Sequence, residues 1–120
     1  MSSAGRFIGM LMRSRTQAHV YHLETNSFSK HSALEAYYTA IVPLLDRYAE
    51  VYMGKYGKIN KYNGLNNGIN RNTTSVLGYF TGMLKTINEM NLPQDPSLRN
   101  IQDEITGLIQ STIYKLRNLK

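Results

Sequence analysis

The chain has no cysteine and no tryptophan among its 120 residues. Without thiols there are no disulfides, iron–sulfur clusters or thiolate zinc sites, and the composition suits a reducing compartment. No apolar run approaches the roughly 20 residues of a membrane-spanning helix. The apolar stretch from Phe7 to Met12 is broken by Arg13 and Arg15 and makes a poor secretory leader, so a cytoplasmic protein with no membrane partner is expected. The motifs G-x-S-x-G, H-E-x-x-H, C-x-x-C and E-x-x-H are also missing. Their absence removes the common hydrolase, zincin and thiol-redox signatures, and the standard di-iron bundle motif. A helix-turn-helix reading fails for want of a recognition helix with convergent Arg, Asn and Gln. Acids are scarce: eight Asp and Glu stand against fourteen Lys and Arg, a formal net charge of +6. The cations are scattered, with mild clusters at Lys55, Lys58, Lys61 and Arg71 and at Lys115, Arg117 and Lys120, and read as a solvated surface.

What is present is helical periodicity. The spacing of apolar residues predicts four helices over about 3–24, 30–53, 73–91 and 95–118. Their stripes are Phe7, Leu11 and Ala18; Leu34, Tyr38, Ile41, Leu45, Tyr48 and Tyr52; Val76, Phe80, Met83, Ile87 and Met90; and Leu98, Ile101, Ile105, Leu108, Thr112 and Leu116. Ser29 reads as the N-cap of the second helix, and Asp95-Pro96 as the capped start of the fourth. Pro43, inside the second helix, should kink it, because a proline there removes a backbone hydrogen bond. The nine tyrosines read mainly as helix-surface and interface residues with an apolar body and a polar tip. Residues 54–72, rich in Gly and Asn, form a long connection that lacks the order of a phosphate-binding GxxxxGK[ST] loop. Connections that run short, long, short describe an all-α, ferritin-like four-helix bundle with one long crossover between helices 2 and 3, occupying 1–120 as a single domain.

All three histidines and four of the eight carboxylates fall between His19 and Glu50. Imidazole nitrogen and carboxylate oxygen together suit iron, manganese or zinc. His31 and Glu35 are four residues apart and share a helix face, as do Asp46 and Glu50. Fifteen residues separate the two pairs, about 22 Å along a helix at ~1.5 Å per residue. One straight helix cannot bring them to one ion. Two copies packed antiparallel about a two-fold axis can, so a site using all of them is shared between subunits.

The spacing His19-x11-His31-x3-Glu35-x10-Asp46-x3-Glu50, with Asp46-Arg47-Tyr48-Ala49-Glu50 carrying the alanine of a D-x-x-A-E element and Phe28 shortly before the second histidine, resembles the ferroxidase signature of the Dps family, the mini-ferritins. The resemblance covers about the first 57 residues. It departs from the family at Val20, where tryptophan is usual, at Glu35, where aspartate is usual, and at Val51, where arginine is common. It implies an iron (Fe2+/Fe3+) site between subunits, with His19, His31 and Glu35 from one chain and Asp46 and Glu50 from the partner. Glu50 is then a candidate bridge to a second iron. It also implies oxidation of ferrous iron by hydrogen peroxide or oxygen, storage inside a hollow homo-oligomer (a dodecamer built from two-fold dimers), and protection against oxidative stress.

His22, three residues after His19, is expected as an auxiliary ligand or a hydrogen-bond partner. Glu24, Glu89, Asp103 and Glu104 are candidates to line a pore or cavity, whereas Asp95 reads as a helix cap. The alternative to iron chemistry is a Dps-like shell without redox activity that binds nucleic acid or a small ligand. Weak non-specific DNA binding would rest on Arg6 near one end and Lys115, Arg117 and Lys120 at the other.

Overall fold

The computed structural model describes residues 3–70 and 75–119. Four helices follow one another: α1 (Ser3–Glu24), α2 (Phe28–Tyr56), α3 (Val76–Glu89) and α4 (Pro96–Asn118). No strand occurs among the described residues, and none of the helices is long and apolar enough to cross a membrane. The expected start of the third helix at 73 lies in 71–74, outside the described residues.

The ends of α2 differ from expectation for local reasons. Ser27, not Ser29, is its N-cap, and its hydroxyl accepts the Lys30 N–H at 3.3 Å. At the far end Gly57 adopts φ 89°, a value open to glycine at little cost, and donates its N–H to Met53 O at 3.0 Å. Pro43 does not split the helix. It sits at an exposed position of a continuous α2. The 29 residues of α2, at ~1.5 Å each, span the molecule's 43 Å long axis. Asp95 occupies the N-cap position of α4 but makes no side-chain cap bond. Its carboxylate accepts instead from the Tyr56 hydroxyl at 2.7 Å and pairs with Lys55, tying the start of α4 to the end of α2.

Helix α1 packs on α2, α2 on α4, and α4 on α3, which makes a four-helix bundle. The expected stripes supply most of the core, including Phe7, Leu11, Leu34, Ile41, Phe80, Leu98 and Ile105. The tyrosines correct the surface reading in part: Tyr21 and Tyr37, outside the expected stripes, are fully buried together with Tyr48 on its stripe, and these are the three largest such side chains. Tyr48 meets Phe7 edge-on at 5.0 Å, and Tyr37 meets Phe80 at 4.9 Å. Ser14 supplies the Tyr37 hydroxyl with a 2.7 Å hydrogen bond, while burial pushes that phenol well above its ordinary pKa. The buried Tyr21 hydroxyl has no partner among the described residues.

The connection from α2 to α3 is laid along α1. It leaves Gly57, passes Gly5 at Ile59 and Lys61, and passes Gly9 at Tyr62 and Asn63. Arg13 then donates to Gly68 O through Nε at 3.1 Å and Nη2 at 2.6 Å. Gln17 grips Asn70 in both directions at 2.7 Å, donating to its carbonyl and accepting its N–H. A Cβ at Gly5 would overlap Lys61 O, and one at Gly9 would overlap Asn63 O. Two glycines one turn apart thus give the connection a seat directly on the α1 backbone. α3 then begins beside the far end of α1, where Tyr79 packs edge-on against Tyr21 at 5.9 Å.

Candidate metal centre

The turn between α1 and α2, residues 25–27, is short, so residues at similar distances on either side of it meet. His22, in the last turn of α1, and His31, in the first turn of α2, are such a pair. His22 Nδ1 lies 2.8 Å from His31 O, and His31 Nδ1 lies 2.9 Å from His22 O. A carbonyl oxygen can only accept, so in both rings Nδ1 carries the proton. In the neutral ring this leaves the Nε2 lone pair free, the state in which imidazole binds a metal. The bond from His31 also satisfies a carbonyl that the end of α1 leaves without a helical partner. The two rings stack with centroids 3.6 Å apart and a 24° tilt.

Glu35 stands one turn beyond His31. One ligand atom from each of His22, His31 and Glu35 lies within 4.8 Å of the others. Burial falls along the set: His22 is buried, His31 half-buried and Glu35 exposed. Two ligands of one ion at ~2.1 Å sit about 3.4 Å apart in a tetrahedral site. The set's 4.8 Å limit is wider than that, and the exposed Glu35 is the side chain freest to close it. Two imidazoles and one carboxylate with open positions beside them suit a first-row divalent ion, and they do not suit calcium, which takes oxygen ligands.

The five expected ligands are thus divided. His31 and Glu35 join the cluster. His19 is exposed and stacks on Tyr38 at 4.6 Å, with its ring centroid 5.9 Å from that of His22. Tyr38 also meets His22 edge-on at 5.4 Å, so His19 adjoins the cluster through two rings. Asp46 and Glu50 are exposed on the same side of α2 as Glu35, but the unbroken helix keeps them about 22 Å and about 28 Å from His31 at ~1.5 Å per residue. Arg47 turns away from them to pair with Glu104 on α4, and Asp103 faces Arg99 at 3.8 Å. The structure brings His22 into the cluster, a place that the linear spacing does not give it. The short turn was the available signal, since it places residues 22 and 31 opposite each other.

The protein is therefore a four-helix bundle with a histidine–carboxylate cluster at its first hairpin. Residues 22–116 match the model of a family of unknown function (DUF5856), and the chain belongs to that family. The matched span includes His22, His31, Glu35, Asp46 and Glu50. The chain is also similar to an uncharacterized 14.6 kDa protein in the mobD-ri intergenic region of Enterobacteria phage T4. The two are 26% identical over 115 residues, covering 96% of this chain and 88% of the relative. No solved structure matches the chain significantly.

Proposed function

We propose that the protein is a Dps-like mini-ferritin that binds ferrous iron and oxidises it at an inter-subunit site. The observation that carries this reading is the convergence of His22, His31 and Glu35, with both Nδ1 atoms already engaged by backbone carbonyls. In this reading His22 takes the part that resemblance alone gives to His19. The partner chain's Asp46 and Glu50 complete the set across a two-fold axis between α2 helices. Two features support the assembly. The exposed or half-buried stripe Glu35, Thr39, Val42, Asp46 and Glu50 follows one side of α2. The connection laid along α1 starts α3 at the end of the bundle where α2 also starts, the order that a ferritin-like crossover requires.

The chemistry follows from the donors. The carboxylates favour ferric over ferrous iron, and the imidazoles hold the ferrous ion before oxidation. Two Fe2+ give two electrons to one hydrogen peroxide, which takes up two protons and leaves as two waters. The test is anaerobic loading with Fe2+, then limiting peroxide, with ferric absorbance and light scattering as readouts. The expected result is saturable oxidation by an oligomer of twelve 13.7 kDa chains, about 164 kDa, abolished by His31→Ala. A monomer, or oxidation no faster than that of free iron, sinks the reading. A second reading, an assembled shell without redox chemistry, is favoured by the stacked and mutually bonded histidine rings, which are satisfied without an ion. It predicts the same oligomer with no bound iron.

A further inference from the structure

The acids of this chain are segregated. Residues 1–23 and 51–88 hold eight of its fourteen Lys and Arg and none of its eight carboxylates. The fold brings these acid-free segments together as α1, the connection along it, and α3. Between them lies a groove of about 590 Å³, within the range of small-molecule sites. Its α1 wall is Arg6, Met10 and Arg13, at i, i+4 and i+7, a single helix face. Asn63 and Asn67 of the connection and Thr86 of α3 close it, and no carboxylate lines it.

The two arginines are held differently. Arg13 is fixed: Nε and Nη2 grip Gly68 O, and the guanidinium lies over the Tyr79 ring at 5.6 Å. Its Nη1 is not used by those bonds, so at least two N–H donors remain for a ligand. Arg6 is exposed and has no ion-pair partner among the described residues. Seven residues of helix separate them, about 10 Å at ~1.5 Å per residue. With Arg13 fixed at Gly68 O and Arg6 exposed, that spacing accommodates two or three phosphates in a row. Planar guanidinium groups match phosphate oxygens with paired hydrogen bonds, and the amide and hydroxyl side chains add neutral donors.

We propose that this groove binds a small molecule carrying a di- or triphosphate chain, with Arg13 as the fixed anchor and Arg6 as the arm that closes on the far phosphate. The site stands apart from the histidine cluster and does not depend on the iron reading.

The test is NMR titration of the full chain in chelator with orthophosphate, pyrophosphate, ATP and a short single-stranded oligonucleotide. The expected result is saturable shifts at the amides of Asn63, Gly64, Asn67 and Thr86. Pyrophosphate and ATP should bind at least tenfold more tightly than orthophosphate. Arg6→Ala should weaken ATP binding about tenfold with an otherwise unchanged spectrum, and Thr86→Val should weaken it about threefold. Pyrophosphate response without ATP preference assigns the site to inorganic polyphosphate, and an ATP response above it to nucleotides; both uphold the phosphate chain. Shifts spread over every exposed Lys and Arg, indifference to Arg6→Ala, or a response to the oligonucleotide alone would overturn the proposal.

Discussion

Helices α1 and α2 lie against each other, yet they differ in charge: α1 is basic, whereas α2 sets three acids against Lys30, Arg47 and Lys55 and is balanced. α2 presents Glu35, Asp46 and Glu50, while α1 presents Arg6, Arg13 and Arg15 and has no acid before its last residue, Glu24. They also differ in cover. α1 is overlaid by the connection, whose backbone rests on Gly5 and Gly9, whereas Gly54 of α2 has nothing within 4 Å of the place a Cβ would occupy. The histidine pair marks the seam, because His22 closes the basic helix and His31 opens the one that carries the acids.

The comparison breaks most sharply at that seam. His22→Ala should lower Co2+ affinity by about a hundredfold or more, in line with ligand loss exceeding the 10–100-fold cost of outer partners. His19→Ala should change it by less than about threefold. Competition titration against a chelator measures both, and equal losses would return His19 to the ligand set. Next in size is the glycine contrast. Gly9→Ala forces a methyl into the Asn63 carbonyl and should destabilise by about 1–3 kcal/mol. Gly54→Ala meets open space and should stabilise by about 0.5–1 kcal/mol through helix propensity. Urea unfolding of the two variants should move in opposite directions. Tyr21→Phe removes a buried hydroxyl that lacks a partner among the described residues, and should be neutral or stabilising by up to about 1 kcal/mol in the same assay. The smallest effect is Arg47→Ala. Its pair with Glu104 is half-exposed on both sides, so the loss should stay below about 1 kcal/mol and shrink in salt.

Helix existence and most core positions were legible because apolar spacing alone decides them. Phe7, Leu11, Ile41, Phe80 and Ile105 follow the 3.6-residue period and are buried. The burial of Tyr37 was not legible, because residue type gives the average preference for an amphipathic tip, whereas Ser14 supplies its hydroxyl with a partner from another helix; Tyr48, on its stripe, was legible. Asp95 read as a cap from its neighbours in sequence, but Lys55 and Tyr56, about forty residues back, take its carboxylate. The long connection was recognisable from its Gly and Asn content. Its course was not, because the seat at Gly5 and Gly9 lies in a different element. The same limit applied to the candidate site: His31 and Glu35 are local in sequence, while the choice of His22 over His19 depends on the turn between helices.

The position of the histidine cluster also has a thermodynamic consequence. An ion held by His22 on one helix and by His31 and Glu35 on the next would act as a clasp across a three-residue turn, at the point where the first hairpin must close for folding to proceed. Any ion that binds the folded chain and not the unfolded one adds RT ln(1 + [M]/Kd) to stability, about 2.7 kcal/mol at a hundredfold excess over Kd. The melting temperature would then report the free metal concentration, and a metal-starved population would fray first at the α1–α2 corner.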